Sequence, residues 1–236
     1  MFSAHPKERH NGMIQNVKIA TEQQRCFAVN ASPLCSKTIK TPAGTLVLRN
    51  FSPPSLVESL RADNGLRAFA RLPEREHQLL VNIAKRSDSV LTLAYTLSGE
   101  IVGEVTLAPA EAWWEGLGQT YEIAVQVSSR WRGLGIARQL LASALELDAL
   151  EEIIILALGL SWHWDTEGLG LTRYRYRQLI EQLFAGYGFC EYLTTEPNIR
   201  MDPANIFLAR IGSQVDQHSV NHFLNHLLCS EGLPGM

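Results

Sequence analysis

The sequence is most informative at residues 121–150, YEIAVQVSSRWRGLGIARQLLASALELDAL. Its first seven residues, 121–127, are rich in aromatic and β-branched side chains, which is typical of a strand. A glycine-rich turn follows at 132–137, and apolar residues then recur at helical spacing. These apolar residues are Ile136, Leu140, Leu141, Ala144, Leu145 and Ala149. The stretch therefore predicts a strand, a turn and a helix that faces the core.

The turn has the composition of an anion site. Glycines at a helix start let backbone N–H groups approach a phosphate at the positive end of the helix dipole. Neither the P-loop pattern nor G-x-G-x-x-G is present. The pattern [QR]-x-x-G-x-[GA] fits in two frames, Arg130–Gly133–Gly135 and Arg132–Gly135–Ala137. A phosphate-binding loop is the sharper interpretation, and a glycine-rich turn with no ligand is the alternative.

Composition sets broad limits on the protein. The chain has 236 residues, 46% hydrophobic and 19% charged, which predicts one sizeable globular domain. A net charge of −3 and a pI near 6.2 do not favour a nucleic-acid partner. No apolar run is long enough to span a membrane, and no secretory leader is evident, so no membrane partner is expected. Cys26, Cys35, Cys190 and Cys229 are far apart, which predicts free thiols, no metal site and a cytoplasmic protein.

The flanking segments predict an α/β fold, a mixed sheet covered by helices. We expect strands at 45–49, 90–97, 101–107, 152–160, 189–193 and 206–211, and helices at about 53–60, 73–85, 173–185 and 220–228. We expect a flexible N-terminal segment at residues 1–35, the main domain at 36–214 and a C-terminal helical tail at 215–236. Trp113 and Trp114 are expected to cap the core rather than line a cleft.

Several motifs resemble one acetyltransferase family. The loop pattern resembles the pyrophosphate-binding loop of the GNAT acetyltransferases, and LFAGYGF at 183–189 resembles their L-Y-x-x-x-G-F passage. A narrower similarity, to bacterial acetoin-utilisation acetyltransferases, covers about residues 38–223. Its motifs are WHWD at 162–165, GLGL at 168–171, PAN at 203–205 and RIG at 210–212.

The resemblance implies a single GNAT domain that uses acetyl-CoA as cosubstrate and no metal. It implies transfer of the acetyl group to a lysine amine of another protein, with acetyl-CoA synthetase as that partner. Two alternatives stay open. One is an N-acetyltransferase for a small amine, and the other is a non-catalytic acyl-CoA-binding regulator that inhibits a partner by docking.

The resemblance also implies a set of cofactor-binding residues. Main-chain groups of Val125 and Val127 would pair with the pantetheine arm. The remaining predicted contacts belong to the loop and helix start, and they are Arg130, Arg132, Gly133, Leu134, Gly135, Ile136 and Ala137.

A catalytic base is needed because an ammonium cannot attack a thioester. Glu122 at the start of the central strand is the first candidate, and Glu104 on the preceding strand is weaker. His163 and Asp165 share one side of the chain if residues 162–165 are extended, and His is suited to proton transfer near neutral pH.

The leaving thiolate raises a separate question. Phe184 stands where many relatives carry a tyrosine that protonates the thiolate, and phenylalanine cannot donate. Tyr174, Tyr176 or water could serve instead. The basic run of Arg173, Arg175 and Arg177 is expected to face solvent.

Overall fold

A computed structural model of the protein describes residues 36–228 as one mixed sheet with helices on both faces. The strands are β1 Ser36–Thr41, β2 Gly44–Arg49, β3 Arg61–Ala62, β4 Val90–Thr96, β5 Glu100–Pro109, β6 Thr120–Val127, β7 Ile154–Gly159, β8 Cys190–Glu191 and β9 Ile206–Ile211. The helices are α1 Pro54–Ser59, α2 Pro73–Lys85, α3 Ile136–Ala144, α4 Thr166–Leu169, α5 Arg173–Ala185, α6 Pro197–Arg200 and α7 Gln217–His226. Short 3₁₀ turns lie at Ala112–Trp114, Ser129–Trp131, Asp148–Glu152 and Ser161–His163.

The strand order is β1-β2-β4-β5-β6-β7-β9-β8, and β3 pairs with β5. The pairs β6–β7 and β3–β5 are parallel and the others are antiparallel. Helix α3 connects β6 to β7, which is the crossover that a parallel pair requires. The predicted strand, turn and helix of 121–150 and the predicted mixed α/β sheet are therefore confirmed.

Helices α3 and α5 cover one face of the sheet. Leu140 and Leu141 of α3 are fully buried there and pack in one cluster with Phe184 of α5 and with Ile123 of β6. Contact is so close that a Cβ on Gly103 of β5 would lie 2.9 Å from Leu140 Cδ1. Since side chains alternate along a strand, the neighbouring residues of β5 and β6 face the opposite side.

Helices α1, α2 and α7 cover that opposite side. Leu80 of α2 is buried against β4, and Phe223 of α7 packs against Trp114 and Phe207. The Trp114 and Phe207 rings are stacked with centroids 4.7 Å apart. The prediction that the tryptophan loop caps the core is therefore confirmed for Trp114.

Replacing Phe223 by alanine tests how firmly α7 belongs to this core. Phe223 is 0% exposed, so truncation should lower the free energy of unfolding by about 3–5 kcal/mol, as for other buried aromatic residues. Leu224→Ala is the matched control, because Leu224 lies on the same helix and is 39% exposed. Urea unfolding that gives equal, small losses for both variants would contradict this role of α7.

Some predicted boundaries were wrong. The apolar stripe predicts one helix as far as Ala149, but α3 ends at Ala144. A 3₁₀ turn follows at Asp148–Glu152, so β7 also starts later than expected. The predicted strand at 189–193 is reduced to Cys190–Glu191. Helix α7 starts before residue 220 because the Asp216 carboxylate caps it by accepting from the Ser219 N–H at 3.0 Å.

Strand β1 was not predicted, because its sequence SKTIKT has a single buried side chain, Ile39. The predicted lead-in at 1–35, which includes Cys26 and Cys35, lies outside the described residues, as does Cys229. Cys190 is exposed and free. No helix in the described part of the chain is long and apolar enough to cross a membrane.

Candidate active site

A gap between β6 and β7 forms the centre of the site. The two strands pair only from Thr120↔Ile154 to Glu122↔Leu156 and then separate. Ser128 N–H donates to Val102 and Ala110 N–H donates to Thr120 across the β5–β6 ladder, at 2.8 and 2.9 Å. Even-numbered residues of β6 therefore bond to β5, and the main-chain groups of odd-numbered residues face the gap.

A cavity of about 670 Å³ occupies this gap and extends to both faces of the sheet. Val125 and Val127 direct their main-chain groups into it, as expected for strand partners of an extended ligand. The Val127 carbonyl already accepts a hydrogen bond from Arg132 Nε at 3.2 Å, so only the Val127 N–H can pair with a ligand. No side chain among residues 36–228 hydrogen-bonds to the main chain of Val125, so Val125 is the better placed of the two.

The glycine loop closes one end of the cavity. Gly133 and Gly135 have φ of +74° and +75°, a conformation that favours glycine, and a Cβ on either would meet no atom within 4 Å. Gly135 is the N-cap of α3, so the N–H groups of the first turn have no partner within the helix. Open space and free donors at a helix start fit a diphosphate.

Most predicted cofactor residues line this cavity: Val125, Val127, Arg132, Gly133, Gly135, Ile136 and Ala137. Two predicted residues do not. Arg130 forms an ion pair with the buried carboxylate of Asp63, and Leu134 packs against the core below α3. Arg138 lines the cavity one residue beyond the predicted loop and was missed, although its place in the first turn of α3 was a usable signal.

Asp165 fixes the loop rather than joining His163. The segment that was predicted to be extended is a 3₁₀ turn, Ser161–His163, so the expectation that His163 and Asp165 share one side of a strand is wrong. Asp165 pairs with Arg132 and accepts from the Gly168 N–H at 2.9 Å. These bonds, first the one from Arg132, hold the pKa of Asp165 below its usual value.

His163 lines the cavity and is held by one ring nitrogen. Its Nδ1 lies 2.7 Å from the Ala68 carbonyl oxygen, which can only accept, so Nδ1 carries the hydrogen. The Nε2 atom of the neutral ring is then a proton acceptor. The Phe69 ring packs 5.4 Å from the imidazole.

Glu122 lines the cavity at the point where β6 and β7 separate. Its side chain faces the α2 side of the sheet and is half-buried. Burial raises the pKa of Glu122 above its ordinary value, and the negative charges of Glu196 and Glu111 raise it further. A half-buried carboxylate of raised pKa has the properties of a general base.

Glu104 also lines the cavity and is almost fully buried. Gln126 Nε2 donates to its Oε1 at 3.2 Å. Burial, together with the nearby charge of Glu76, raises the pKa of Glu104 to about 8.

Replacing Glu104 by glutamine should stabilise the fold in alkaline solution. Because its folded pKa lies above the ordinary value of 4.5, the wild-type protein should lose stability as pH rises from 4.5 to about 8. Glutamine removes this loss, so urea unfolding near pH 9 should show a gain of about 2–5 kcal/mol that vanishes near pH 4.5. Glu100→Gln on the same strand, where the carboxylate is partly exposed and paired with Arg61, is the control. An equal gain in the free energy of unfolding at both pH values would contradict the view that ionisation of Glu104 destabilises the fold.

Tyr176 is the one tyrosine among residues 36–228 that lines the cavity, which makes it a candidate donor for a leaving thiolate. It lines the cavity and stacks on Trp164 with ring centroids 5.1 Å apart, and burial raises its pKa. Phe184 lines the same cavity, whereas Tyr174 is exposed outside it. Arg173 and Arg175 face solvent as predicted, whereas the Arg177 side chain is only 21% exposed and pairs with Glu191.

Similarity to known proteins agrees with this geometry. Residues 55–158 match the acetyltransferase (GNAT) family. The chain is 32% identical to acetoin utilization protein AcuA of Bacillus subtilis and 30% identical to that of Bacillus licheniformis, over 193 residues that span 80% of this chain and 91% of each relative. The crystal structure of the acetoin utilization protein from Exiguobacterium sibiricum has a TM-score of 0.76 and 32% identity, and the match covers 82% of this chain and 93% of that one.

Among residues 36–228, no group of side chains could hold a metal ion. The glycine loop, the separated strands and the relatives agree on one class of enzyme. The chain belongs to the GNAT acetyltransferase family and is an acetyl-CoA-dependent N-acetyltransferase.

Proposed function

We propose that this enzyme acetylates a lysine side chain of another protein, and that acetyl-CoA synthetase is this protein. The observation that carries the proposal is the open rim of the cavity. Three exposed leucines line the cavity on both faces of the sheet: Leu79 of α2 lies on one face and Leu179 of α5 on the other, and Leu169 belongs to α4. They are 36%, 43% and 37% exposed, respectively. A site for a small ligand buries most of that ligand, whereas an exposed apolar rim suits contact with a second protein.

The named relatives support the metabolic part of the proposal. They are acetoin utilization proteins, so control of acetate and acetoin metabolism through acetyl-CoA synthetase is a consistent role. A cytoplasmic location is part of the same proposal, and the wide spacing of the cysteines supports it.

The residues of the cavity have separate tasks in the proposed reaction. Acetyl-CoA supplies the acetyl thioester when bound. The loop N–H groups at Gly133 and Gly135 would bind the diphosphate, and main-chain groups of β6 would align the pantetheine arm. The Val125 N–H, which faces the gap, would stabilise negative charge on the thioester oxygen. Holding both reactants in this geometry supplies much of the rate acceleration.

Proton transfer requires an acceptor and a donor. Glu122 or His163 would take the proton of the lysine ammonium, directly or through one water. The free amine would attack the thioester carbonyl carbon and the carbon–sulfur bond would break. Tyr176 would donate to the sulfur and regain a proton from the amine nitrogen through solvent.

Mass mapping of acetyl-lysine tests the proposal directly. Purified acetyl-CoA synthetase and acetyl-CoA are incubated with the enzyme, and the expected result is acetylation of one or a few lysines. Gly135→Glu, which should not bind acetyl-CoA, controls for spontaneous acetylation. Equal acetyl-lysine with both proteins would refute acetyl-CoA synthetase as the substrate.

A small-amine acetyltransferase is the second candidate, because two carboxyl groups, Glu104 and Glu122, line the cavity. Turnover of a polyamine without turnover of the synthetase would favour it. Binding of acetyl-CoA without turnover of any amine would favour the third candidate, a docking regulator, for which Phe184 is the supporting feature.

A further inference from the structure

Two buried carboxyl groups stand next to each other at the α2 side of the cavity. Glu104 of β5 is 1% exposed and lines the cavity, and Glu76 of α2 is 0% exposed. In each group the Oε2 atom has no hydrogen-bond partner. A buried oxygen without a partner is costly, and such a group in a native structure calls for an explanation.

The other oxygen of each carboxyl group is firmly held. Gln126 donates to Glu104 Oε1, and the oxygen of the same Gln126 amide accepts the N–H groups of Arg67 and Ala68, both at 2.8 Å. Glu76 Oε1 accepts the N–H groups of Phe69 and Ala70 at 2.8 and 2.9 Å. Residues 67–70 are thus bonded directly to Glu76 and, through Gln126, to Glu104, and the Oε2 atoms of both carboxyl groups are left for another partner.

The charge of this pair is not balanced within the described residues. Neither carboxylate forms an ion pair with a lysine, arginine or histidine between residues 36 and 228. Burial, together with the like charge of Glu76, raises the pKa of Glu104, because an ionised Glu104 carries a negative charge that no cation between residues 36 and 228 balances. One cation at the cavity wall would satisfy both that charge and the free oxygen of Glu104.

We propose that Glu104, supported by Glu76, binds the ammonium group of the acceptor substrate. The inference rests on the proposed function only in requiring an amine as acceptor, and it holds for a protein lysine and for a small amine alike. It explains how the enzyme selects a cationic primary amine over neutral groups of the same shape. The buried, unpartnered Oε2 of Glu104, a residue that lines the cavity, is the contact that the cation would make.

The site lies on the face of the sheet that carries Glu122, but at a different place. Glu104 pairs with Gln126, which is four residues from Glu122 along β6, or about 13 Å. Thr106 and Ala124 lie between them and also line the cavity. An ammonium held by Glu104 is therefore out of direct reach of Glu122, which could accept its proton only through water, so the two carboxyl groups have separable roles.

The affinity of the proposed ammonium site can be measured without turnover by binding n-butylammonium to the full-length enzyme saturated with CoA. This ion has the four-carbon chain and charge of a lysine side chain, and 1-butanol is the neutral comparison. With a Glu104 pKa of about 8, calorimetry should show affinity for n-butylammonium rising about thirtyfold from about pH 6.5 to about pH 9. The affinity for 1-butanol should stay constant.

The other charged groups around the cavity require matched variants. Glu76 faces Glu104 from α2, His163 comes from the 3₁₀ turn, Glu122 from β6, and Arg132 and Arg138 from the loop end. Glu104→Gln should remove the pH dependence and lower affinity near pH 9 at least tenfold. Glu76→Gln keeps an oxygen that can accept the N–H groups of Phe69 and Ala70, and it removes the charge that raises the pKa of Glu104. The increase in n-butylammonium affinity should therefore occur at lower pH. Glu122→Gln and His163→Gln should keep the rise.

Two results would overturn the assignment of the ammonium site to Glu104. One is loss of the pH-dependent increase in n-butylammonium affinity in Glu122→Gln or His163→Gln. The other is persistence of that increase in Glu104→Gln. The readout is independent of the protein target. An enzyme that binds n-butylammonium through Glu104 but leaves acetyl-CoA synthetase unmodified would refute only the proposed substrate. An enzyme that acetylates the synthetase while its amine affinity ignores Glu104 would refute only this inference.

Discussion

Gly135→Glu is expected to abolish binding of acetyl-CoA while the protein stays folded. Gly135 has a φ of +75° at the start of α3, and a Cβ there would meet no protein atom within 4 Å. The new side chain would therefore enter the open space beside the free N–H groups, where the diphosphate is predicted to bind. Its carboxylate would occupy that space and repel the phosphates. Calorimetric affinity for CoA should fall at least about a hundredfold, or about 2.7 kcal/mol.

Backbone strain must be separated from loss of the site. A non-glycine residue in the left-handed region costs about 1–2 kcal/mol, so some loss of stability is expected. Gly118→Glu is the matched control, because Gly118 has a φ of +73°, equally open surroundings and no place in the cavity. It should lose similar stability and keep its affinity for CoA. A folded Gly135→Glu protein with unchanged affinity would exclude this loop as the anion site.

The central unit was predictable because its signals are local. Residues 121–150 carry the strand composition, the glycines and the helical period within thirty positions. The cavity was not predictable in the same way, since it depends on β6 and β7 pairing over three positions only. The sequence period continues to Val127 and contains no sign that pairing with β7 stops at Glu122.

The arginines of the loop illustrate a second limit. Two frames of the motif fit, and the sequence offered no means of choosing between them. Asp63, which is 67 residues away, pairs with Arg130, whereas Asp165 holds Arg132 at the cavity. Similarly, Gln126 binds the loop that carries Ala68 and Phe69 through contacts 58 and 59 residues apart. Such contacts are fixed by tertiary packing, and no local sequence pattern predicts them.

Removal of the catalytic base is expected to lower kcat strongly, whether the base is Glu122 or His163. A lysine amine has a pKa near 10.4, so at neutral pH it is almost wholly protonated and needs an acceptor for its proton. If Glu122 is this acceptor, Glu122→Gln should lower kcat by roughly a hundredfold or more and spare the affinity for acetyl-CoA. If His163 is the acceptor, His163→Gln should show that loss and Glu122→Gln should be nearly silent.

Measuring kcat between about pH 6 and about pH 10 tests whether Glu122 or His163 is the base. The loss in the variant that lacks the base should shrink as pH rises, because the amine then deprotonates unaided. Because burial raises the pKa of Glu122, a rate that depends on its ionisation should begin to rise above the ordinary range of a glutamate. The Ala68 carbonyl fixes the His163 Nδ1 hydrogen, so a base at His163 must act through Nε2. If neither variant loses more than a few-fold at neutral pH, both assignments are wrong, and positioning by β6 and the glycine loop would have to account for the rate.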